Sequence, residues 1–471
     1  MNPTPITVPK ASPDPLPELA VFLAPVAPLF HRAESRTSLE RYVTGLLTDL
    51  PRKTCDTIAA AVAGTSTERL QHLLTDAAWD PVALDEARVR QLVAASPAAG
   101  VLVLDDTGLP KQGRHSVGVA RHYSGTLGKV ANCQVVVSAE YVADSDGSRP
   151  LHWPVSAQLY LPEAWATDPE RRRRAHIPAT VPFQTKPELA LALIDRARAW
   201  EAPFAVVVAD AGYGDTPTFV AGLDARGLSY MCAVESTFGV RVPAEVQAAA
   251  PAPAVAGPAP RGRGRPQLPR PAPLHTAKAI SAALPEEAWQ TVAWREGASG
   301  SLRKQFAAVR VQWATGNPAV GPFGRGVQHG RMRIGPEGWL LAERPLPGDG
   351  GDPKWYLANL PADTPLARLA ALAHARWPVE QFYEDSKGEC GLDDYQGRRW
   401  DGLHRHLALV MLTYSFLVRQ RVALPDAGGF PPLTSGAVAA GHPPVRARLA
   451  APGPRPLVHR HQPDRPLPPA S

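Results

Sequence analysis

"AGVLVLDDTGLPKQG", residues 99–113, is where the texture of the chain changes. A short run of branched apolar residues stops abruptly at two acids, Asp105 and Asp106, followed by a Thr-Gly turn. That pattern predicts a buried strand that ends in carboxylates. Further short apolar runs follow at 132–142 ("NCQVVVSAEYV"), 152–161 ("HWPVSAQLYL") and 203–215 ("PFAVVVADAGYGD"). Between the last two, "KPELALALIDRARAW" (186–200) repeats apolar residues at helical spacing, and "TPTFVAGLDARGL" (216–228) does so after Asp210. Strands and helices in this order predict an α/β sheet.

Residues 15–98, upstream of this region, carry helix-period apolar positions, among them Leu39, Tyr42, Val43, Leu46 and Leu47. They predict a small helical domain whose basic residues, including Arg41, Arg52 and Lys53, either touch phosphates or form an ordinary solvated face. Downstream, residues 243–275 have the composition of a linker. Its "PRGRGRPQ" (260–267) resembles an AT-hook, with Arg263 and Arg265 as candidate minor-groove contacts; a solvated linker is the other reading. Residues 286–360 again look rich in strands, and 364–420 read as two helices. Residues 1–14 and 425–471 lack a periodic apolar face and read as disordered.

The 471 residues suffice for a large core, and Lys plus Arg exceed Asp plus Glu by 50 to 44, which favours a polyanionic partner. Four well-separated cysteines without a CxxC pair argue against a zinc site or a disulfide framework and for a reducing cytoplasm. The first residues have no apolar core behind a basic head, so no signal peptide is expected. The apolar run 407–418 is too short to cross a bilayer, which needs about 20 residues, so no membrane contact is expected.

Acids that end two buried strands lie where open α/β folds bind ligands, and oxygen donors of this kind suit hard cations such as Mg²⁺ or Mn²⁺. Either strand alone is equally well read as a turn or a helix N-cap. A third candidate comes from "RWPVEQFYEDSKGECGLDDYQGRRW", 376–400. On a helix, Val379, Phe382, Tyr383, Ser386 and Cys390 share an apolar face, and Arg376, Glu380 and Lys387 line its border. An i,i+4 ion pair between Arg376 and Glu380 accounts equally well for that border.

Taken together, "LDDTGLPKQGRHSVGVARHYSGTLGKVANCQ" (104–134), "VVADAGYGD" (207–215) and the 376–400 stretch resemble the DDE transposases of bacterial insertion sequences, specifically the IS701 group, related to the IS4 group. The resemblance runs from about residue 28 to 420. It implies an RNase H-like catalytic core with an N-terminal helical DNA-binding domain (15–98) and an inserted β-rich domain (236–360), the core occupying 99–235 and 361–424. It also implies phosphoryl transfer that cuts double-stranded DNA at terminal inverted repeats and joins the 3′ ends to a target, in a synaptic homodimer. Asp106, Asp210 and Glu380 match the catalytic acids, with Asp105 adjacent as an alternative first acid or a further ligand.

Two Mg²⁺ or Mn²⁺ ions are implied, bridged by Asp106, with Asp210 and Glu380 each favouring one. Arg376, Glu380 and Lys387 fit the spacing of the IS4-type signature, whose tyrosine position is Ala373 here. Lys387, Arg376, Lys111 and Arg114 are candidate DNA contacts. Trp289, and Trp294 beside it, are candidate stacking platforms for an unpaired base or core residues of the inserted region. A DNA-binding derivative without catalysis, and an RNase H-like nuclease that cuts without joining, remain the alternatives.

Overall fold

The computed structural model describes residues 16–124, 128–144, 150–245, 273–297, 300–315 and 333–423. The AT-hook-like arginines Arg263 and Arg265, the first fourteen residues and the tail from 425 lie outside the described residues.

Strand β1 (Gly100–Pro110) is the run that opened the sequence reading, and its neighbours define the architecture. It pairs antiparallel with β3 (Lys129–Ala143), which also carries β2 (Ala120–Ser124) and β4 (His152–Leu159) on its far side. On its other side β1 runs parallel to β5 (Val206–Ala209), and β5 runs parallel to β6 (Ser229–Val234). The path β4, β3, β1, β5, β6, antiparallel at one end and parallel at the other, is that of an RNase H-like fold, as the resemblance implied. Helix Lys186–Ala199 stands between β4 and β5 in the chain. It supplies the crossover that a parallel β1–β5 pairing requires, since two parallel strands cannot be joined by a tight turn.

The same sheet continues through strands from the later part of the chain. β7 (Gly239–Arg241), β8 (His275–Thr276), β9 (Gln290–Gly297), β10 (Gly300–Thr315), β11 (Arg333–Arg344) and β12 (Lys354–Ala358) follow in the sequence. β12 pairs antiparallel with β6, β11 with β12, and β10 with β11. Among the described residues all twelve strands belong to this one sheet.

The alternation of β1 divides the core. Val101 and Val103 pack with Leu369, Leu372 and Val379 of the C-terminal helices. Leu102 and Leu104 join the larger cluster containing Leu189 and Leu193 of helix Lys186–Ala199. Side chains two apart share a face of a strand, so Asp105 continues the first side and Asp106 the second.

The 364–420 region holds three helices rather than the expected two: Leu366–Ala373, Trp377–Cys390 and Trp400–Ala423. The cause is Pro378. It has no N–H to donate, and its ring crowds the backbone before it, so one continuous helix cannot run through 374–377. Pro378 instead sits in the first turn of a new helix, where the missing N–H costs nothing. That helix ends at Gly391, whose φ of 66° is the left-handed conformation that suits glycine.

The N-terminal helices, the longest of them Ala33–Leu47, are fastened to this end of the core. Lys53 is buried, not a solvated basic residue: its Nζ donates to the Leu46 carbonyl at 2.6 Å and to that of Glu389. Tyr42 and His406 form a buried hydrogen bond of 2.8 Å, and Nε2 of His406 donates to the Gly391 carbonyl at 3.0 Å, which leaves Nδ1 to accept from the tyrosine. Arg88, fully buried, bonds the carbonyls of Pro154 and Val155 in β4. No helix among the described residues is long and apolar enough to cross a membrane.

His404 and His406 carry a pH prediction, because burial pushes both down to about 4. In the unfolded chain a histidine takes its proton near pH 6.5. The contribution of these two histidines to stability should therefore be complete above about pH 6.5 and be lost as the pH drops toward 4, by roughly 1.4 kcal/mol per pH unit for each. Urea unfolding measured across that range checks it. His406→Gln should flatten the profile by about one proton; a profile parallel to the wild type would contradict the assignment.

Candidate active site

The parallel register sets Leu104 of β1 against Ala209 of β5, so both strands deliver acids to the same edge: Asp105 and Asp106 from the first, Asp210 immediately after the second. Asp210 also stands at the N-terminus of the short helix Ala211–Gly214, without a side-chain hydrogen bond to the backbone of that helix. That helix lies tight against β6. A Cβ on Gly214 would come within 2.0 Å of the Ala233 carbonyl oxygen, so glycine is required to keep Asp210 at this depth.

Asp105 and Asp106 have different partners, as their opposite faces demand. Asp105 is buried and forms a close ion pair with Nη1 of Arg376; Nη2 of the same guanidinium lies 2.7 Å from Glu380 Oε1. One arginine therefore joins β1 to the first turn of helix Trp377–Cys390, and it holds Glu380, whose side chain is 64% exposed and does not line the cleft of Asp106 and Asp210. Asp106 faces a cleft of about 330 Å³ that Asp210, Gly212, Tyr213, His122, Lys186 and Gly108 also line. Its Oδ2 takes Lys186 Nζ at 2.9 Å and the Tyr213 hydroxyl at 3.3 Å.

The electrostatics follow from crowding these acids where water is scarce. Burial pushes Asp105 up to about 7, against the pull of Arg376 and with a further push from Asp210. Burial raises Asp210 as well, again opposed by Arg376 and reinforced by Asp106. Oδ1 of Asp210 is buried without a hydrogen-bond partner. Buried polar atoms are rarely left unpaired, and this one belongs to an oxygen-only donor set of the kind that hard divalent cations select. The acids thus fit such a cation chemically. Among the described residues, however, no three or more His, Cys, Asp or Glu side chains are grouped closely enough to hold a metal ion. Arg376 stands between Asp105 and Glu380, and Lys186 sits on Asp106.

The remaining residues singled out from the sequence are distributed as follows. Lys387 packs over β1 from the same helix as Glu380, its Nζ 3.2 Å from the Gly108 carbonyl. Lys111 is turned inward: its Nζ donates to the carbonyls of Tyr395 (2.6 Å) and Asp393 (3.2 Å), and burial lowers it to about 8. Arg114 is exposed on the loop between β1 and β2. Trp289 lies under the Arg344 guanidinium at 4.2 Å, and Trp294 is stacked on His374 at 3.9 Å; neither lines the cleft of Asp106 and Asp210. Ala373 is buried at the end of its helix. Tyr213, whose hydroxyl bonds Asp106, was not singled out by sequence reading, nor were Lys186 and His122.

Residues 25–301 match the family model described as DDE superfamily endonuclease; the matched span includes Asp105, Asp106 and Asp210 and ends before Arg376 and Glu380. Over 218 residues the chain is 30% identical to a protein of Microchaete diplosiphon described as a probable transposase for insertion sequence element IS701. That similarity covers 45% of this chain and 53% of the relative, so the chain spans about half the length of the curated relative it matches.

The Arg376 bridge makes a stability prediction. Arg376→Gln leaves the buried Asp105 without its counter-charge, so that its carboxyl takes a proton at neutral pH, and should cost about 1–3 kcal/mol in urea unfolding. Glu380→Gln, at the exposed end of the same bridge, should cost no more than about 0.5 kcal/mol. Adding Asp105→Asn to Arg376→Gln should recover part of the loss. Equal costs for the two single variants would show that Arg376 is not anchored through Asp105.

Proposed function

The chain belongs to the DDE superfamily endonucleases, and from that membership we propose that it acts as a DNA transposase, cutting double-stranded DNA at the terminal inverted repeats of its element and joining the ends to a target. The observation that carries this reading is the shared edge: Asp106 and Asp210 line one cleft, and Glu380 reaches its neighbourhood through Arg376 and Asp105. The similarity to a probable IS701 transposase supports the same reading.

In this account Asp106, Asp210 and Glu380 are the catalytic acids and hold divalent cations, Mg²⁺ or Mn²⁺, as a pair. Bound there, the cations would activate the attacking oxygen and stabilise the leaving one in an in-line displacement. Asp106 is preferred to Asp105 as the first acid, because it faces the cleft while Asp105 is committed to Arg376. Asp105 then acts as a positioning residue, fixing Arg376 so that Glu380 is held in place before substrate arrives. Tyr213 and Lys186 both restrain Oδ2 of Asp106.

Phosphate recognition falls to basic groups around the acids. Lys387, on the helix of Glu380 and over the end of β1, is placed to meet the backbone next to the scissile bond, and Arg114 to meet it farther along the duplex. The synaptic form would be a homodimer, since two ends must be joined at once.

The test is incubation of the full chain with Mg²⁺ and a plasmid carrying its reading frame with the flanking DNA, following nicks and joined products. Asp210→Ala should lower both by about 10²- to 10³-fold while duplex binding in a gel-shift assay stays within about twofold. Equal products from the two proteins would refute the assigned acids. Nicks without joined products would turn the reading to a nuclease.

A further inference from the structure

The cleft at the sheet edge is lined by groups of opposite character. The acids Asp106 and Asp210 line it, including the unpartnered Oδ1 of Asp210. Lys186 and His122 line it too, and Nε2 of His122 is likewise buried without a hydrogen-bond partner. The ammonium of Lys186 lies 2.9 Å from Asp106 Oδ2.

Three features show that this contact is not there for stability. The lysine side chain is 35% exposed, and pairs so open to water contribute little. The backbone of Lys186 is fixed independently, because Thr185 and Glu188 cap the helix that it begins, with each side chain bonding the other's backbone N–H. The stem above that fixed point has four rotatable carbons, so the charge can move without disturbing the fold. A cation approaching Asp106 must compete with an ammonium already on it, and a phosphate approaching the cleft meets two nitrogen-bearing side chains in its lining.

We propose that Lys186 exchanges partners during the reaction: it neutralises Asp106 while the cleft is free of divalent cation, then moves onto a phosphate oxygen of the DNA once that carboxylate is engaged. The lysine thereby keeps the acids from repelling the DNA before the cation is in place, and afterwards supplies a phosphate contact. The exchange rests on Asp106 being a cation ligand, as argued above.

Mn²⁺ binding to the full chain, followed by electron paramagnetic resonance, separates the two claims. Lys186→Met removes the competing charge and should bind Mn²⁺ at least about fivefold more tightly than the wild type. The same variant should bind a fluorescent duplex more weakly than the wild type when Mn²⁺ is present, with Lys186→Arg restoring wild-type behaviour in both measurements. Mn²⁺ affinity that is unchanged or weaker in Lys186→Met, while Asp106→Asn abolishes binding, would overturn the exchange and leave the acids standing. Wild-type Mn²⁺ affinity in Asp106→Asn would overturn both. Circular dichroism melts of each variant establish that all are folded.

Discussion

The parallel pairing of β1 with β5 is the constraint on which the rest depends. Four ladder positions, Val101 to Leu104 against Val206 to Ala209, bring acids 105 residues apart in sequence to one edge of the sheet. The strands tolerate nothing polar before that edge, because both faces are covered, one by the C-terminal helices and the other by helix Lys186–Ala199. The carboxylates therefore appear at the first place where the sheet stops being buried. Their cost in desolvation is offset by cations of the protein itself, Arg376 on one face and Lys186 on the other.

That arrangement explains why the two adjacent aspartates are not interchangeable. Pleating sends Asp105 toward Arg376 and Asp106 toward the cleft, so one stabilises the architecture of the site and the other is available to a ligand. It also explains how a helix from the far end of the chain is brought to the sheet. Arg376, at the break that Pro378 imposes, closes a bridge to Glu380, and Lys53 and His406 hold the other end of that helix against the N-terminal helices. The N-terminal region is thus mechanically continuous with the helix that carries Glu380.

Much of this was legible in the sequence because the signals are local. A branched apolar run ending in an acid shows itself twice, at "VLVLDD" and "AVVVAD", and the apolar face of 377–390 is visible in its spacing. Val379, Phe382, Ser386 and Cys390 are buried as that face requires, and so is Asp385, which the wheel gave no reason to expect. Partners set by tertiary approach were not legible. Lys186 reads only as the start of a helix, and Tyr213 and His122 carry no signal of their own; the sheet order is what brings them together around Asp106. The extra helix break in 364–420 was present in the sequence as Pro378, but the apolar period ran through it and masked it. Lys53 and Lys111 show the converse: basic residues that composition assigns to the surface can be drawn in to satisfy helix-end and loop carbonyls.

The central claim is that segments around Asp106, Asp210 and Glu380 surround one cation-binding centre. Replacing Mg²⁺ with Fe²⁺ in the DNA-bound protein, and generating hydroxyl radicals with ascorbate and peroxide, cuts the backbone near the bound ion. The account predicts cuts in three separate segments, beside Asp106, beside Asp210 and in the first turn of helix Trp377–Cys390, all suppressed by excess Mg²⁺. Cutting confined to one of these segments, or lying elsewhere in the chain, would contradict it.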